Sequence, residues 1–294
     1  YMKLMIARMF AVAAAMSLEA LLGTPEAFRA EIHDARPHEG QIAVAARLRA
    51  LLADSGIRES HREGDPRVQD AYALRCVPQV HGAAWHALAY VRGILETEAN
   101  SATDNPLVFP EADTVVSGGN FHAQIVSQAL DLLAIGCADL AAISERRIER
   151  LLNPDLSMGL PAFLTVRPGL ESGFMIAQVT AVDLLAELRI LSHPASVDSV
   201  TTSANQEDHV SMGMAAARKA DRAVSCLERV LATELMCAAE GIEYRRPLTA
   251  GKGVEVAHRR VRARVARLTG DRVLGADLET MTDLVREGSF TGIA

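Results

Sequence analysis

Cysteine is scarce in this chain and follows no pattern: the four residues Cys76, Cys137, Cys226 and Cys237 show no CxxC or zinc-type spacing. That argues against a zinc site and against a disulfide framework. Three of the four sit inside apolar helical patterns, where thiols act as small core residues, so a reducing, cytoplasmic setting is expected. An excess of positive charge is also lacking. The net charge of −7 argues against a general nucleic-acid or membrane-surface binder. Period-two alternation is nearly absent, which disfavours a sheet protein. No stretch is expected to reach the roughly 20 clean apolar residues that span a bilayer. The signal-like "KLMIARMFAVAAAMS" is interrupted by Lys3 and Arg8 and followed by Glu19, so it reads as part of a buried helix. Linkers, low-complexity tracts and repeats are missing as well.

What is present is apolar residue at three- and four-residue spacing. With 49% hydrophobic and 23% charged residues among 294, the chain can bury a sizeable core. The clearest pattern runs over 120–152, carried by Ile125, Ala129, Leu132, Leu133, Ile135, Leu140, Ile143 and Ile148. It predicts a helix of roughly 50 Å. Further helices are expected over 41–52, 85–98, 173–192, 207–240, 254–268 and 276–286, with one small hairpin formed by "LVF" and "TVV". The fold class is mainly α, a long-helix bundle in which 1–294 form a single domain. The run "HRRVRARVAR" at 258–267 carries five arginines and reads as a solvated face, with Val261, Val265 and Leu268 turned inward. Tyr1 opens the chain inside a helical pattern without a cap, so sequence is expected to precede it.

Several polar constellations interrupt the helices. In "SANQEDHVSM", 203–212, Ser203 and Gln206 form a capping-box pattern, placing Glu207 and Asp208 in a first helical turn. Neighbouring helix residues diverge by about 100°, so Glu207, Asp208 and His209 cannot converge on a metal ion. Glu207 is the acid left to face a pocket. In "VQDAYALRC", Gln69, Tyr72 and Arg75 recur every three residues and would form one polar ridge. Arg75 could hold a carboxylate and Tyr72 could move a proton, although a satisfied structural ridge fits the spacing equally well. "SGGNFHAQ" leads through paired glycines into the long helix, with Phe121 and His122 in its first turn. Asn100, Asp104 and Asn105 suit turn chemistry before Pro106. Arg146, Arg147 and Arg150 in "SERRIER" are read as structural, complementing a helix C-terminus or joining subunits.

Taken in order, "VQDAYALRCVPQVHGA", "NSATDNPLVF", "SGGNFHAQ", "SERRIERLLNPDLSMGLPAFL", "SGFMIAQVTAV" and "SVDSVTTSANQEDHVSM" resemble the histidine ammonia-lyases of the aromatic amino acid lyase group. The resemblance implies the fumarase/aspartase-like long-helix fold, a homotetramer whose sites draw on several chains, and L-histidine as substrate, converted to trans-urocanate and ammonia. It implies an electrophilic MIO group (4-methylidene-imidazol-5-one) made from an internal Ala-Ser-Gly. Position by position, it makes Arg75 the anchor for the substrate carboxylate and Tyr72 an active-site tyrosine. Gln69 and Phe121 would line the MIO pocket, and Glu207 would be the acid near the imidazole and the reacting carbon. "NQED" favours histidine lyases over phenylalanine and tyrosine lyases, which typically read "NQD".

One departure is decisive: no Ala-Ser-Gly occurs, and the nearest stretch, "ADSG" at 53–56, has Asp54 in the way. The expectation is that the MIO-bearing N-terminal part lies elsewhere and that this chain alone is inactive. Alternatives are a tyrosine or phenylalanine ammonia-lyase or aminomutase, or a non-catalytic or split-enzyme scaffold subunit. A fumarase-type lyase would need a "GSSxMPxKxN"-like loop, which the sequence lacks.

Overall fold

A computed structural model describes residues 2–293, with side-chain surroundings from Arg8 onward; Tyr1 and the uncapped start it suggested lie outside the described residues. The helices are α1 (Met2–Ala20), α2 (Ala30–Asp34), α3 (Glu39–Leu51), α4 (Gly56–Glu59), α5 (Tyr72–Arg75) and α6 (Val77–Glu98), then α7 (Gln124–Leu152), α8 (Met175–Leu191), α9 (Gly213–Glu243), α10 (Lys252–Arg262) and α11 (Gly275–Arg286). Between α6 and α7, β1 (Leu107–Phe109) and β2 (Thr114–Val116) pair antiparallel with Leu107 opposite Val116. The mainly α fold and the small hairpin both form where the apolar spacing placed them.

The centre of the molecule is the α7–α9 pair, flanked by α6 and α8 and covered by α1, α10 and α11. At 29 and 31 residues these two helices are about 44 and 47 Å long. Small residues let the layers approach closely. A Cβ on Gly241 of α9 would stand 2.9 Å from Ala20 Cβ, and one on Gly82 of α6 would stand 2.6 Å from the Gln41 backbone nitrogen in α3. Met9 to Met16 are at most 2% exposed, so this part of the signal-like run is core helix. The buried apolar side chains form one continuous cluster.

Helix α7 corrects the expectation that no stretch is long and apolar enough to cross a membrane: by length and hydropathy it qualifies. Its packing is that of a core helix, because it buries Asp131, Ser144, Glu145 and Arg147 against protein partners. The Arg147 guanidinium donates to both Glu234 oxygens at 2.6 and 2.8 Å, while Ser17 and Ser144 donate to the same carboxylate. Arg147 therefore ties α1, α7 and α9 together within one chain: the role is structural, as expected, but it is an internal tie, not a complement to a helix end or a link between subunits.

Other boundaries moved for local reasons. Helix α6 starts at Val77, earlier than 85, because Pro78 fits a first helical turn where no backbone donor is needed. Helix α10 ends at Arg262, short of 268, though Val265 and Leu268 are still buried. The arginines of this run are more than a solvated face. Arg262 reaches Glu240 and Glu243, and Arg267 stacks over the Tyr244 ring.

Candidate active site

The stretch leading into α5 is fixed from outside itself. Asp70 accepts from the Thr24 backbone N–H at 2.7 Å and from Arg67 at 3.0 Å, and Arg67 also pairs with Asp65. The Arg67 guanidinium holds the Asp65 carboxyl down at about 2, although burial opposes the shift. Inside the single turn of α5, the Ala73 carbonyl accepts from the buried Arg147 at 3.2 Å. Tyr72 and Arg75 thus stand on a turn clamped on both sides. The Arg75 guanidinium lies 4.6 Å from the Tyr72 ring centroid, a cation–π stack, and the buried Arg75 Nε has no hydrogen-bond partner. An unfilled guanidinium donor beside a phenol suits an incoming carboxylate.

Gln69 is a correction to the three-residue ridge. It lies in a bend before α5, since Tyr72–Arg75 is only one turn long and begins after Ala71 in an extended conformation. Gln69 and Tyr72 are both exposed at this end.

The second group of residues gathers at the start of α7. Phe121 and His122 precede that helix, which begins at Gln124, so they are not in its first turn. Neither Gly118 nor Gly119 uses a positive φ. Gly118 N–H donates to the Asn105 side chain at 2.8 Å, joining the two loops. Asp104 accepts from the Asn105 backbone N–H at 2.8 Å. Asp131, about two turns into α7, accepts from the N–H groups of Ala195 and Ser196 and from Lys219. Burial pushes the Asp131 carboxyl up, but these donors outweigh it and hold it below the usual range.

The capping box predicted at Ser203 does not form. Ser203, Ala204 and Asn205 have φ of +50°, +52° and +69°, a left-handed run that a right-handed helix cannot continue. The chain turns back instead. Thr202 and Glu207 pair through both backbone N–H groups at 2.8 and 3.3 Å, and the Thr202 hydroxyl donates to Glu207 Oε2 at 2.6 Å. Helix α9 begins only at Gly213, after Met212 at φ +55°. Glu207 and Asp208 are therefore loop residues with no helix dipole to explain them.

His209, which the sequence left without a role, touches His122. The two rings stack at 5.7 Å with 9° between planes, and His122 Nε2 is 3.0 Å from the His209 carbonyl. Sequence reading missed this link, as it missed Asp70, Asp131 and Thr202. Of these, only Asp131 carried a signal, as an acid inside an apolar helical pattern.

The two groups lie at opposite ends of α7. Ala73 meets α7 at Arg147, whereas Phe121 and His209 lie beside its first residue, Gln124. The 23-residue separation along one continuous helix corresponds to about 35 Å. The fold brings Tyr72 and Arg75 into contact, leaves Gln69 in the bend before them, and sets Phe121 near the Glu207 loop, but does not bring the two sets to each other. A cavity of about 530 Å³ between α8, α9 and α11, lined by Ser172, Ile176, Met236, Asp271 and Leu278, contains none of them.

The Ala53-Asp54-Ser55-Gly56 stretch does not fit a precursor of a backbone-derived electrophile. The Ser55 hydroxyl donates to Glu19 at 2.8 Å and accepts from the Arg58 N–H at 2.9 Å, capping α4, so the serine is committed to structure. Among the described residues no cluster of three His, Cys, Asp or Glu side chains could hold a metal ion.

A sequence model of aromatic amino acid lyases matches residues 3–263. The histidine ammonia-lyase of Stigmatella aurantiaca is 54% identical over 286 residues, which are 97% of this chain and 56% of that protein. Among solved structures, histidine ammonia-lyase from Trypanosoma cruzi has a TM-score of 0.89 at 50% identity, covering 97% of this chain and 53% of that one. Tyrosine aminomutase from Streptomyces globisporus has a TM-score of 0.91 at 38% identity, covering 98% and 58%. The chain spans about half the length of the curated relatives it matches.

Proposed function

The chain belongs to the aromatic amino acid lyase family, and we propose that it supplies the substrate-holding part of a cytoplasmic histidine ammonia-lyase that converts L-histidine to trans-urocanate and ammonia. The observation that carries this reading is the Arg75–Tyr72 stack with its unfilled, buried Arg75 Nε. Histidine as the substrate is supported by the relatives at 54% identity, which are named for that activity.

In this reading Arg75 fixes the substrate carboxylate bidentately, removing rotational freedom before reaction. Tyr72 sits against that guanidinium and exchanges a proton close to the substrate amine. Glu207, with one oxygen held by Thr202, takes the imidazole end and the nearby β-carbon. Gln69 and Phe121 line the place where the electrophile meets the amine. The MIO group of the family supplies that electrophile. Its Ala-Ser-Gly precursor is absent from these 294 residues, so the proposal requires it from sequence outside them. The 294-residue chain alone should be inactive.

The 35 Å separation of the two residue groups gives the assembly its logic. A site using both Arg75 and Glu207 must take them from different copies, which supports an oligomer as the working unit, in keeping with the homotetramer that the family resemblance implies.

The test is urocanate formation by the complete enzyme, followed by ultraviolet absorbance, with histidine compared against tyrosine and phenylalanine. Arg75→Ala should raise KM and lower kcat/KM by about a hundredfold or more, and Tyr72→Phe should lower kcat strongly. Near-normal kinetics for both variants, or deamination of histidine by the purified 294-residue chain, would overturn the reading.

A further inference from the structure

The loop that carries Glu207 is tied to α7 at Ala195 and Ser196 and held by few contacts beyond them. Within itself it has the Thr202–Glu207 pairing and the Val210 N–H donating to Ser199 Oγ at 2.9 Å. Towards α7 its start is anchored by Asp131 accepting from the Ala195 and Ser196 N–H groups and by the Gln124 side chain donating to the Ser196 carbonyl at 3.3 Å, eleven residues before Glu207; nearer Glu207 it has the His122–His209 contact, two residues after it. Four of its residues, Ser203, Ala204, Asn205 and Met212, hold positive φ, a conformation that costs energy for residues such as Ala204 and Met212 and persists where surrounding contacts fix it. On the facing side, Gly118 and Gly119 have open space around them, so that loop does not position itself by packing.

From this geometry we infer that His122 is a positioning residue for Glu207. Its Nε2–H donates to the His209 carbonyl, and its ring, stacked on the His209 ring, fixes the direction of that donation. The hydrogen bond sets the path of the chain two residues beyond Glu207, while Thr202 sets the rotation of its carboxylate. Phe121, adjacent to His122, is brought to the same place by the same contact. The clasp thus assembles one half of the site, whose other half comes from a second copy. This inference rests on the role proposed above for Glu207.

The experiment uses the complete enzyme with three single variants. His122→Phe keeps a stacking ring and loses the donor; His122→Gln keeps a donor and loses the ring; Glu207→Gln removes the acid. His122→Phe should lower kcat for histidine about tenfold, the effect of one lost hydrogen bond, with KM nearly unchanged because Arg75 still holds the carboxylate. His122→Gln should recover most of that loss. On a Glu207→Gln background, His122→Phe should cost nothing further, since its effect passes through Glu207. Wild-type kcat in His122→Phe, equal losses in the Phe and Gln variants, or full additivity with Glu207→Gln would each overturn the inference. A fully active Glu207→Gln single variant would instead remove the role of Glu207 on which it rests.

Discussion

Arg147 and Glu234 form a two-pronged ion pair at 2.6 and 2.8 Å in which neither side chain is exposed to solvent. Both remaining lone-pair positions on the carboxylate are used by Ser17 and Ser144, and a spare guanidinium donor reaches the Ala73 carbonyl. Removing one partner strands the other charge in the core. Glu234→Leu or Arg147→Met alone should each destabilise the chain by about 3–5 kcal/mol, and the double variant by less than either single. Urea unfolding monitored by circular dichroism checks this. A double variant as unstable as the sum of the singles would show that the two side chains act independently.

Glu19 predicts a pH effect of opposite sign to the usual carboxylate. Burial pushes its pKa up to about 7, against the lowering effect of donors Gly251 N–H and Ser55. The folded value lies above the unfolded one, so the stabilising protonated form is fully present below about pH 4.5 and is lost as pH rises through 7. The loss is on the order of 3 kcal/mol. Glu19→Gln should therefore flatten the stability profile between these limits and exceed the parent at pH 8. A parallel, merely displaced pair of profiles would contradict it.

His81 is fully buried against the edge of Phe10, and neither ring nitrogen has a hydrogen-bond partner. Burial, helped by Arg147, lowers its pKa well below the ordinary histidine value. The folded value is below the unfolded one, so this group's stability contribution is present above about pH 6.5 and declines as pH falls below it. His81→Leu should raise stability at neutral pH by about 1–2 kcal/mol, by removing two unpaired polar atoms, and should reduce the loss on acidification. Thermal melts at pH 5 and pH 7.5 give both answers.

Because Arg75 and Glu207 stand at opposite ends of α7, two inactive variants should rescue each other. Complete enzyme assembled from equal amounts of Arg75→Ala and Glu207→Gln subunits should regain about a quarter of the parental activity by random pairing, while each variant alone has almost none. Absence of rescue in confirmed mixed oligomers would place both residues of one site on the same copy.

Much of the fold was legible in the sequence because long helices announce themselves by apolar spacing. The 120–152 and 207–240 patterns became α7 and α9 with shifted starts, and "LVF" and "TVV" became the hairpin. The starts shifted where local chemistry was ambiguous. Ser203 to Gln206 has the composition of a capping box, yet left-handed backbone at 203–205 turns the chain away, a choice made by pairing with Thr202. Gln69 fell off its expected ridge because a three-residue spacing has meaning only inside a helix, and the helix there is one turn long.

The sequence by itself determined the helical class, the family resemblance and the residue types available for holding an amino acid, since periodicity and ordered motifs are properties of the linear chain. The tertiary structure alone decided that Arg147 is an internal tie, that His209 answers His122, and that Arg75 and Glu207 cannot meet within one copy. Those outcomes depend on which ends of the long helices each loop packs against, and the His122–His209 contact joins residues 87 positions apart in the chain. A helix some 44 Å long then acts as a rigid spacer, fixing a separation that no local pattern records.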